Sequence, residues 1–318
     1  MKRIGVLSSG GDTPGMNAAI RAVVKVAAEY GIEVFGIRHG YRGLIEGDMR
    51  ELTTDEVRNI AHKGGTILKT ARCKEFMVEE GQRRALLTAQ AFDLEGIIAI
   101  GGDGTMHGAG ALSKMGIPTI TLPGTIDNDL AYTDFSIGFD TAVNGVLTEL
   151  IKVRDTMVSH DRIGIVEVMG NKCGDIALHA GVAGSADFIL LPEMEFDIDE
   201  ICDQLIKNNI RNRKTSMIVL AEGAGKGDKL AGYIREKTKL EVKSVVLGYT
   251  QRGGSPTGKD RILATRLGGQ AVSLLAQGVS NRAVGIHDNK VQNMDIYEAL
   301  DAEKQFDSEL YTLGKIMA

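Results

Sequence analysis

The chain has 318 residues, of which 43% are hydrophobic and 25% charged, with a formal net charge of −5. That balance suits a globular protein of about two domains, and forty glycines against five prolines argue for tight turns rather than disorder. The acidic balance, the absence of Trp and the 5% aromatic content weigh against a nucleic-acid partner held by charge or by stacking.

Residues 3–7 form an apolar run ending in glycines, expected as a strand and too short for a signal-peptide core. Pro14 is placed to open a helix; helical apolar spacing covers 17–30, and Gly31 stops it. A strand is expected at 33–37, a helix at 78–92 and a buried strand at 96–100. Then come a helix at 105–114, a strand at 118–122, a long helix at 141–158, a strand at 163–169 and a helix at 175–183. Strands at 216–220 and 242–247, a helix at 258–277 and a last strand at 283–286 complete the chain.

This alternation predicts an α/β protein with mainly parallel sheets, and the strand count predicts two Rossmann-like α/β/α units with the chain crossing between them. No apolar stretch approaches ~18 residues, so no membrane span is expected. Cys73, Cys173 and Cys202 fit neither a disulfide framework nor a zinc pattern, which favours a reducing cytoplasm.

Ligands of parallel α/β sheets sit beyond the carboxyl ends of the strands. Gly10-Gly11-Asp12 and Gly101-Gly102-Asp103 each follow an apolar strand and precede a helix. Glycine lets a phosphate approach the backbone, and the following helix start offers free amides and a positive dipole end. Asp103 can hold a magnesium ion shared with phosphates; a tight turn with a capping aspartate is the plainer alternative. Neither turn is a Walker A loop, and the dinucleotide fingerprint does not follow the first strand.

In Thr125-Ile126-Asp127-Asn128-Asp129, the two aspartates are expected to project to opposite sides of an extended loop. On that reading they do not share one proton; one takes a proton from an attacking hydroxyl while the other orients it or a metal, and a loop stabilised by Asx-turns is the plainer alternative. Arg72 suits a transferring phosphoryl group, with a surface salt bridge the plainer alternative, and the Gln251-Arg252-Gly253-Gly254 turn looks like a phosphate cradle. The cluster Arg211-Asn212-Arg213-Lys214 is a solvated turn or an anion site.

Together these segments resemble the bacterial ATP-dependent 6-phosphofructokinase family nearly end to end. The likeness is carried by Ser9-Gly10-Gly11-Asp12, Thr70-Ala71-Arg72-Cys73, Gly101-Gly102-Asp103-Gly104, Pro123 through Asp129, Gly138-Phe139-Asp140-Thr141 and Gln251-Arg252-Gly253-Gly254-Ser255. The resemblance implies transfer of the ATP γ-phosphoryl group to the 1-hydroxyl of fructose 6-phosphate, in glycolysis. Asp127 would be the base; Arg72, Thr125 and the Gly11 amide would hold the transferring group, and Asp103 would serve Mg2+. Tyr41, Cys73, Phe76, Gly102, Gly104, Thr105 and Gly108 would line the nucleotide site. Fructose 6-phosphate would meet Thr125, Ile126, Asp127 and Asp129; Met169, Gly170, Asn171 and Glu222; and Tyr249, Thr250, Gln251 and Arg252. Arg162 and Lys243 would reach over from a neighbouring subunit of a homotetramer. Residues 1–138 plus 251–300 would bind ATP and magnesium, and 139–250 plus 301–318 the sugar phosphate.

Pyrophosphate-using relatives typically carry aspartate at Gly104 and lysine at Gly124, so glycine at both favours ATP. Asn171, Lys243 and Tyr249 replace the family's usual arginine, arginine and histidine, which points to altered sugar affinity. An effector site for ADP or phosphoenolpyruvate would comprise Arg21, Lys25, Thr54 and Asn59 with Arg154, Ser185, Asp187, Arg211, Arg213, Lys214 and Thr215. Several of these depart from the usual residues, so a weak response is expected. The rival readings are a pyrophosphate-dependent enzyme, a tagatose 6-phosphate kinase, and a silent nucleotide sensor.

Overall fold

The computed structural model describes residues 1–318. In chain order the first elements are β1 (Arg3–Ser8), α1 (Met16–Glu29), β2 (Glu33–Ile37), α2 (Tyr41–Glu46) and β3 (Met49–Glu51). Then come α3 (Glu79–Ala91), β4 (Ile97–Gly101), α4 (Asp103–Lys114), β5 (Thr119–Pro123), α5 (Phe139–Ser159) and β6 (Ile163–Val168). After these follow α6 (Asp175–Ala183), β7 (Phe188–Leu190), α7 (Ile198–Ile210), β8 (Ser216–Ala221), α8 (Gly227–Thr238) and β9 (Val242–Val246). The chain closes with α9 (Gly258–Ala276), β10 (Arg282–His287), β11 (Lys290–Asp295), α10 (Ile296–Asp301) and α11 (Ser308–Met317).

The chain divides into two compact units. Unit one holds Met1–Ile126, Leu130–Thr141 and Arg252–Lys304; unit two holds Asp127–Asp129, Ala142–Gln251 and Gln305–Ala318. Unit one is built on a seven-stranded sheet of order β11-β10-β5-β4-β1-β2-β3, parallel except for the edge strands β3 and β11. Its central strands read as continuous apolar runs because helices cover both faces: every residue of β4 and β5 is buried. One apolar cluster joins the sheet to α1 and α9, and a second joins it to α2, α3 and α4. Gly268 sets the closeness of the first packing, since a Cβ there would lie 2.9 Å from the Ala19 carbonyl and from the Ala22 methyl. Unit two has a four-stranded parallel sheet of order β7-β8-β6-β9, with a core that includes Ile163, Ile165, Ile218, Leu220 and Ile234.

The fold is the expected α/β class, with differences in detail. Pro14 lies outside α1, whose N-cap is Gly15. The strand at 283–286 is not the last. Asp288 and Asn289, at φ 48° and 59°, turn the chain into the antiparallel strand β11. Paired positive φ values are the mark of a type I′ hairpin turn. The helix expected from residue 105 begins at Asp103, so that carboxylate sits in the first turn of α4. No helix is long and apolar enough to cross a membrane.

Candidate active site

In unit one, the loop after β1 is tied down by its neighbours. The Ser9 amide donates to the Ile100 carbonyl (3.0 Å), joining the loop to β4. Thr105 Oγ1 donates to the Ser9 carbonyl (3.1 Å), joining it to the first turn of α4. Thr70 Oγ1 donates to the Gly10 carbonyl (2.7 Å), which draws the irregular segment bearing the exposed Arg72 alongside. A Cβ on Gly11 would run into the guanidinium of Arg252, and one on Gly64 into the Gly254 carbonyl. Ser255 Oγ donates to the His62 carbonyl (2.7 Å). Segments far apart in sequence therefore meet at the carboxyl ends of β1 and β4.

The start of α4 adds free amides. Gly102 is its N-cap and no side chain caps it, so the first amides and the dipole are open to an anion. Asp103 is about three-fifths exposed, with an oxygen 3.6 Å from His107 Nε2 one turn on. A Cβ on Gly104 would meet nothing within 4 Å. At Gly108 a Cβ would lie 2.5 Å from the Tyr41 ring, whose hydroxyl donates to the Thr105 carbonyl (2.5 Å). Tyr41 stacks on Phe76 with centroids 4.1 Å apart and planes 9° apart. Both rings are buried, and Cys73 packs against their cluster. Burial raises the Tyr41 hydroxyl far above its usual pKa. Tyr41 and Phe76 thus make a packed wall behind α4, and the Thr105 hydroxyl is spent on the loop after β1.

Gly124 continues from β5, donating to the Gly101 carbonyl (2.9 Å). Ser136 Oγ donates to the Thr125 carbonyl (2.7 Å), which fixes the backbone of Thr125. The expectation that an extended loop would separate Asp127 from Asp129 fails on its geometry. Side chains two apart share a side in extended backbone, and here Asn128 between them stands at φ 53°, so the loop is not extended.

Unit two brings together the carboxyl ends of β6, β8 and β9. Glu222 Oε1 accepts from the Asn171 amide (3.0 Å), and Gln251 Oε1 from the Met169 amide (3.0 Å). Gln251 Nε2 donates to the Gly248 carbonyl (3.0 Å), and the whole side chain is buried. Gln251 is therefore a brace between two strand ends. Thr250 Oγ1 donates to the Leu247 carbonyl (2.7 Å), and Tyr249 is exposed.

Arg162 and Lys243 are not part of this group. Arg162 precedes β6 and Lys243 pairs with Gly164 in β9, at the opening ends of the strands. Six residues of β6, at ~3.3 Å each, put them roughly 20 Å from Met169 and Glu222. Arg162 Nε bonds Glu241 Oε2 (2.7 Å) and holds that carboxyl below its usual pKa.

The expected effector residues are spread over both units. Arg21 and Lys25 lie one turn apart on α1, and Thr54 and Asn59 follow β3. In unit two, Arg154 on α5 donates to the Gly184 and Ser185 carbonyls, while Lys214 pairs with Asp161 (3.2 Å). Arg211 and Arg213 are exposed and Thr215 half-buried, just before β8. Asp187 Oδ2 is committed to the sheet, accepting from the Met217 amide (2.7 Å).

A sequence profile described as phosphofructokinase matches residues 3–275. This chain belongs to the phosphofructokinase family. A curated family relative, the ATP-dependent 6-phosphofructokinase of Clostridium botulinum (strain Hall), is 53% identical over 318 residues, covering all of both chains. The solved phosphofructokinase of Saccharomyces cerevisiae superposes with a TM-score of 0.87 at 32% identity. It covers all of this chain, which spans about half (48%) of the yeast one. The pyrophosphate-dependent phosphofructokinase of Marinobacter aquaeolei shares the fold, with a TM-score of 0.88 at 23% identity over 97% of this chain and 86% of its own.

Some residues of the expected motifs have structural parts that their sequence windows did not signal. Thr70 and Thr105 act as ties through backbone carbonyls, and Gln251 as a brace. His107, four residues after Asp103, could have been read from helical spacing.

Proposed function

We propose that this chain transfers the γ-phosphoryl group of ATP to the 1-hydroxyl of fructose 6-phosphate, giving fructose 1,6-bisphosphate and ADP in glycolysis. The observation that carries the reading is the cluster at Gly11, where the Arg252 guanidinium, the Arg72 segment and the start of α4 surround one glycine turn. Free amides with the Arg72 segment beside them form a cradle for charge that grows on a transferring phosphoryl group, and the Arg252 guanidinium at the same turn is left for the phosphate that the sugar already carries.

Asp127 takes the proton of the sugar hydroxyl. Asp129 and Ile126 flank it, and Thr125, held through Ser136, orients the attack. Arg72 and the Gly11 amide stabilise the phosphoryl group in flight. Asp103 would hold Mg2+ through a single exposed carboxylate in the first turn of α4, next to the free amides read as meeting the phosphates. Such an ion is commonly held by one or two carboxylates together with substrate phosphates, whose charge it neutralises. Gly102 and Gly104 give the nucleotide room at the start of α4, while Gly108 lets the Tyr41 ring close in behind it with Cys73 and Phe76.

Unit one is read as the nucleotide-holding unit and unit two as the sugar-holding one. Met169, Gly170, Asn171 and Glu222 receive the sugar, with Arg252 on its phosphate. Arg162 and Lys243, at the far strand ends, serve the site of a neighbouring subunit in a homotetramer. The effector set keeps enough cations for a residual anion pocket, with a weak response to ADP or phosphoenolpyruvate.

The test is coupled turnover with magnesium, comparing ATP with pyrophosphate and fructose 6-phosphate with tagatose 6-phosphate. ATP with fructose 6-phosphate should be fastest; pyrophosphate outrunning ATP would overturn the donor assignment. Asp127→Ser should lower kcat by ~10²–10⁴ while nucleotide binding persists.

A further inference from the structure

The tripeptide Asp127–Asp129 is anchored by a residue with no assigned part in the reaction. Asn128, at its centre, is only 2% exposed and holds a left-handed φ of 53°. Its Nδ2 donates to Asp175 Oδ2 at 2.8 Å, and its carbonyl lies 4.0 Å from Cys173 Sγ. Asp175 is 7% exposed and opens α6, and its own carbonyl accepts from His179 Nδ1 (2.9 Å). Residues 127–129 group with unit two, although Ile126 and Leu130 on either side group with unit one.

We infer that Asp175, acting through Asn128, is a positioning residue that sets the aim of Asp127 at the sugar hydroxyl. The inference rests on the reading of Asp127 as the base. Both aspartates are bonded neighbours of Asn128, so any rotation of its peptide swings their carboxylates. A misplacement of ~1 Å at a reacting group can cost about 10²-fold in rate. A buried carboxylate-to-amide bond resists that rotation, because breaking it strands polar atoms away from water. The anchor stands on the first turn of α6, in the unit read as sugar-holding. Its effect is therefore expected on turnover rather than on the affinity for ATP.

The test compares Asp175→Ala, Asp175→Asn, Asn128→Gly and the double variant Asp175→Ala with Asn128→Gly, in full-length protein. Asn128→Gly keeps the positive φ and removes only the amide, so it remains informative if Asp175→Ala folds poorly. Each single disruption should lower kcat roughly 10- to 100-fold, with the KM for ATP within about two-fold of wild type. The double variant should be no worse than the worse single one, because the two residues act as a unit. Asp175→Asn, which keeps an oxygen for the Asn128 amide, should recover most of the loss.

A kcat within about two-fold of wild type for both disruptions would overturn the inference. So would losses that multiply in the double variant, or an ATP KM that rises as kcat falls. Asp127→Ser, assayed alongside, separates the two failures. Wild-type turnover in Asp127→Ser sinks the base reading itself, whereas lost turnover there with intact turnover in the anchor variants sinks only the positioning role.

Discussion

Gly104 and Gly108 stand one turn apart on α4 and are glycine for different reasons. Gly108 is glycine because the Tyr41 ring occupies the space a Cβ would need. Gly104 faces open space, so nothing in the chain forbids a side chain there. Gly104→Asp should therefore leave the urea midpoint unchanged while lowering kcat/KM for ATP, since the added carboxylate stands where the nucleotide phosphates are read to lie. Gly108→Ala should do the reverse. Overpacking against a stacked ring costs about 1–3 kcal/mol, seen as a lower urea midpoint, with catalysis affected only as far as Tyr41 moves. Gly124, the second glycine read as favouring ATP, has a packing reason of its own, with a Cβ there 3.0 Å from Ile100 Cγ2 and 3.2 Å from the Gly101 nitrogen. A glycine motif shows where backbone comes close to something; which atom it comes close to depends on residues such as Tyr41, far away in sequence. The same holds for Asn128, whose partner Asp175 lies forty-seven positions on.

At the scale of elements, most buried parallel strands and the longer helices of unit one announced themselves by period, whereas β7, α7, α8 and α11 were not expected and polar elements gave little sign. β11 reads Lys290-Val291-Gln292-Asn293-Met294-Asp295 and is an edge strand with little apolar alternation. Its clearest sign was the Asp288-Asn289 pair that turns the chain. α7 did carry the signal, with Ile198, Ile201, Cys202 and Leu205 at helical spacing after the capping Asp197. The β10–β11 hairpin has a pH-dependent fastening. Asp134 accepts from His287 Nδ1 (2.7 Å) and from the Asp288 amide (2.9 Å). The bond and charge of Asp134, with Asp288 adding to them, raise the His287 pKa above its ordinary value. A raised folded-state pKa means the ion pair contributes fully below the unfolded value of ~6.5 and is lost as pH climbs through the folded one. In an NMR titration, His287 should titrate above 6.5 in the native protein. It should fall back toward that value in Asp134→Asn, and an unchanged titration would show that the pair is not formed in solution.

For the whole molecule, the telling fact is that the expected sugar-phosphate residues occupy opposite ends of one sheet. Met169 and Glu222 follow β6 and β8, while Arg162 and Lys243 stand at the openings of β6 and β9. No rearrangement of side chains spans roughly 20 Å of strand, so one chain cannot bring all four to one sugar. The sequence resemblance already assigned Arg162 and Lys243 to a neighbouring subunit; the strand register gives a physical reason to keep them apart from Met169 and Glu222 of their own chain. If Arg162 and Lys243 serve a neighbour, a site needs Asp127 from one chain and Lys243 from another. Lys243→Ala should then raise the KM for fructose 6-phosphate and leave that for ATP nearly unchanged. A stronger consequence concerns mixtures. Asp127→Ser lacks the base but keeps Lys243, and Lys243→Ala keeps the base but lacks the cation. Subunit exchange between the two should create some sites with both groups intact, so the mixture should turn over faster than the sum of its parents. Sedimentation should show tetramers before and after exchange. A mixture no faster than that sum, in tetramers shown to have exchanged, would place Lys243 in its own chain's chemistry or in none.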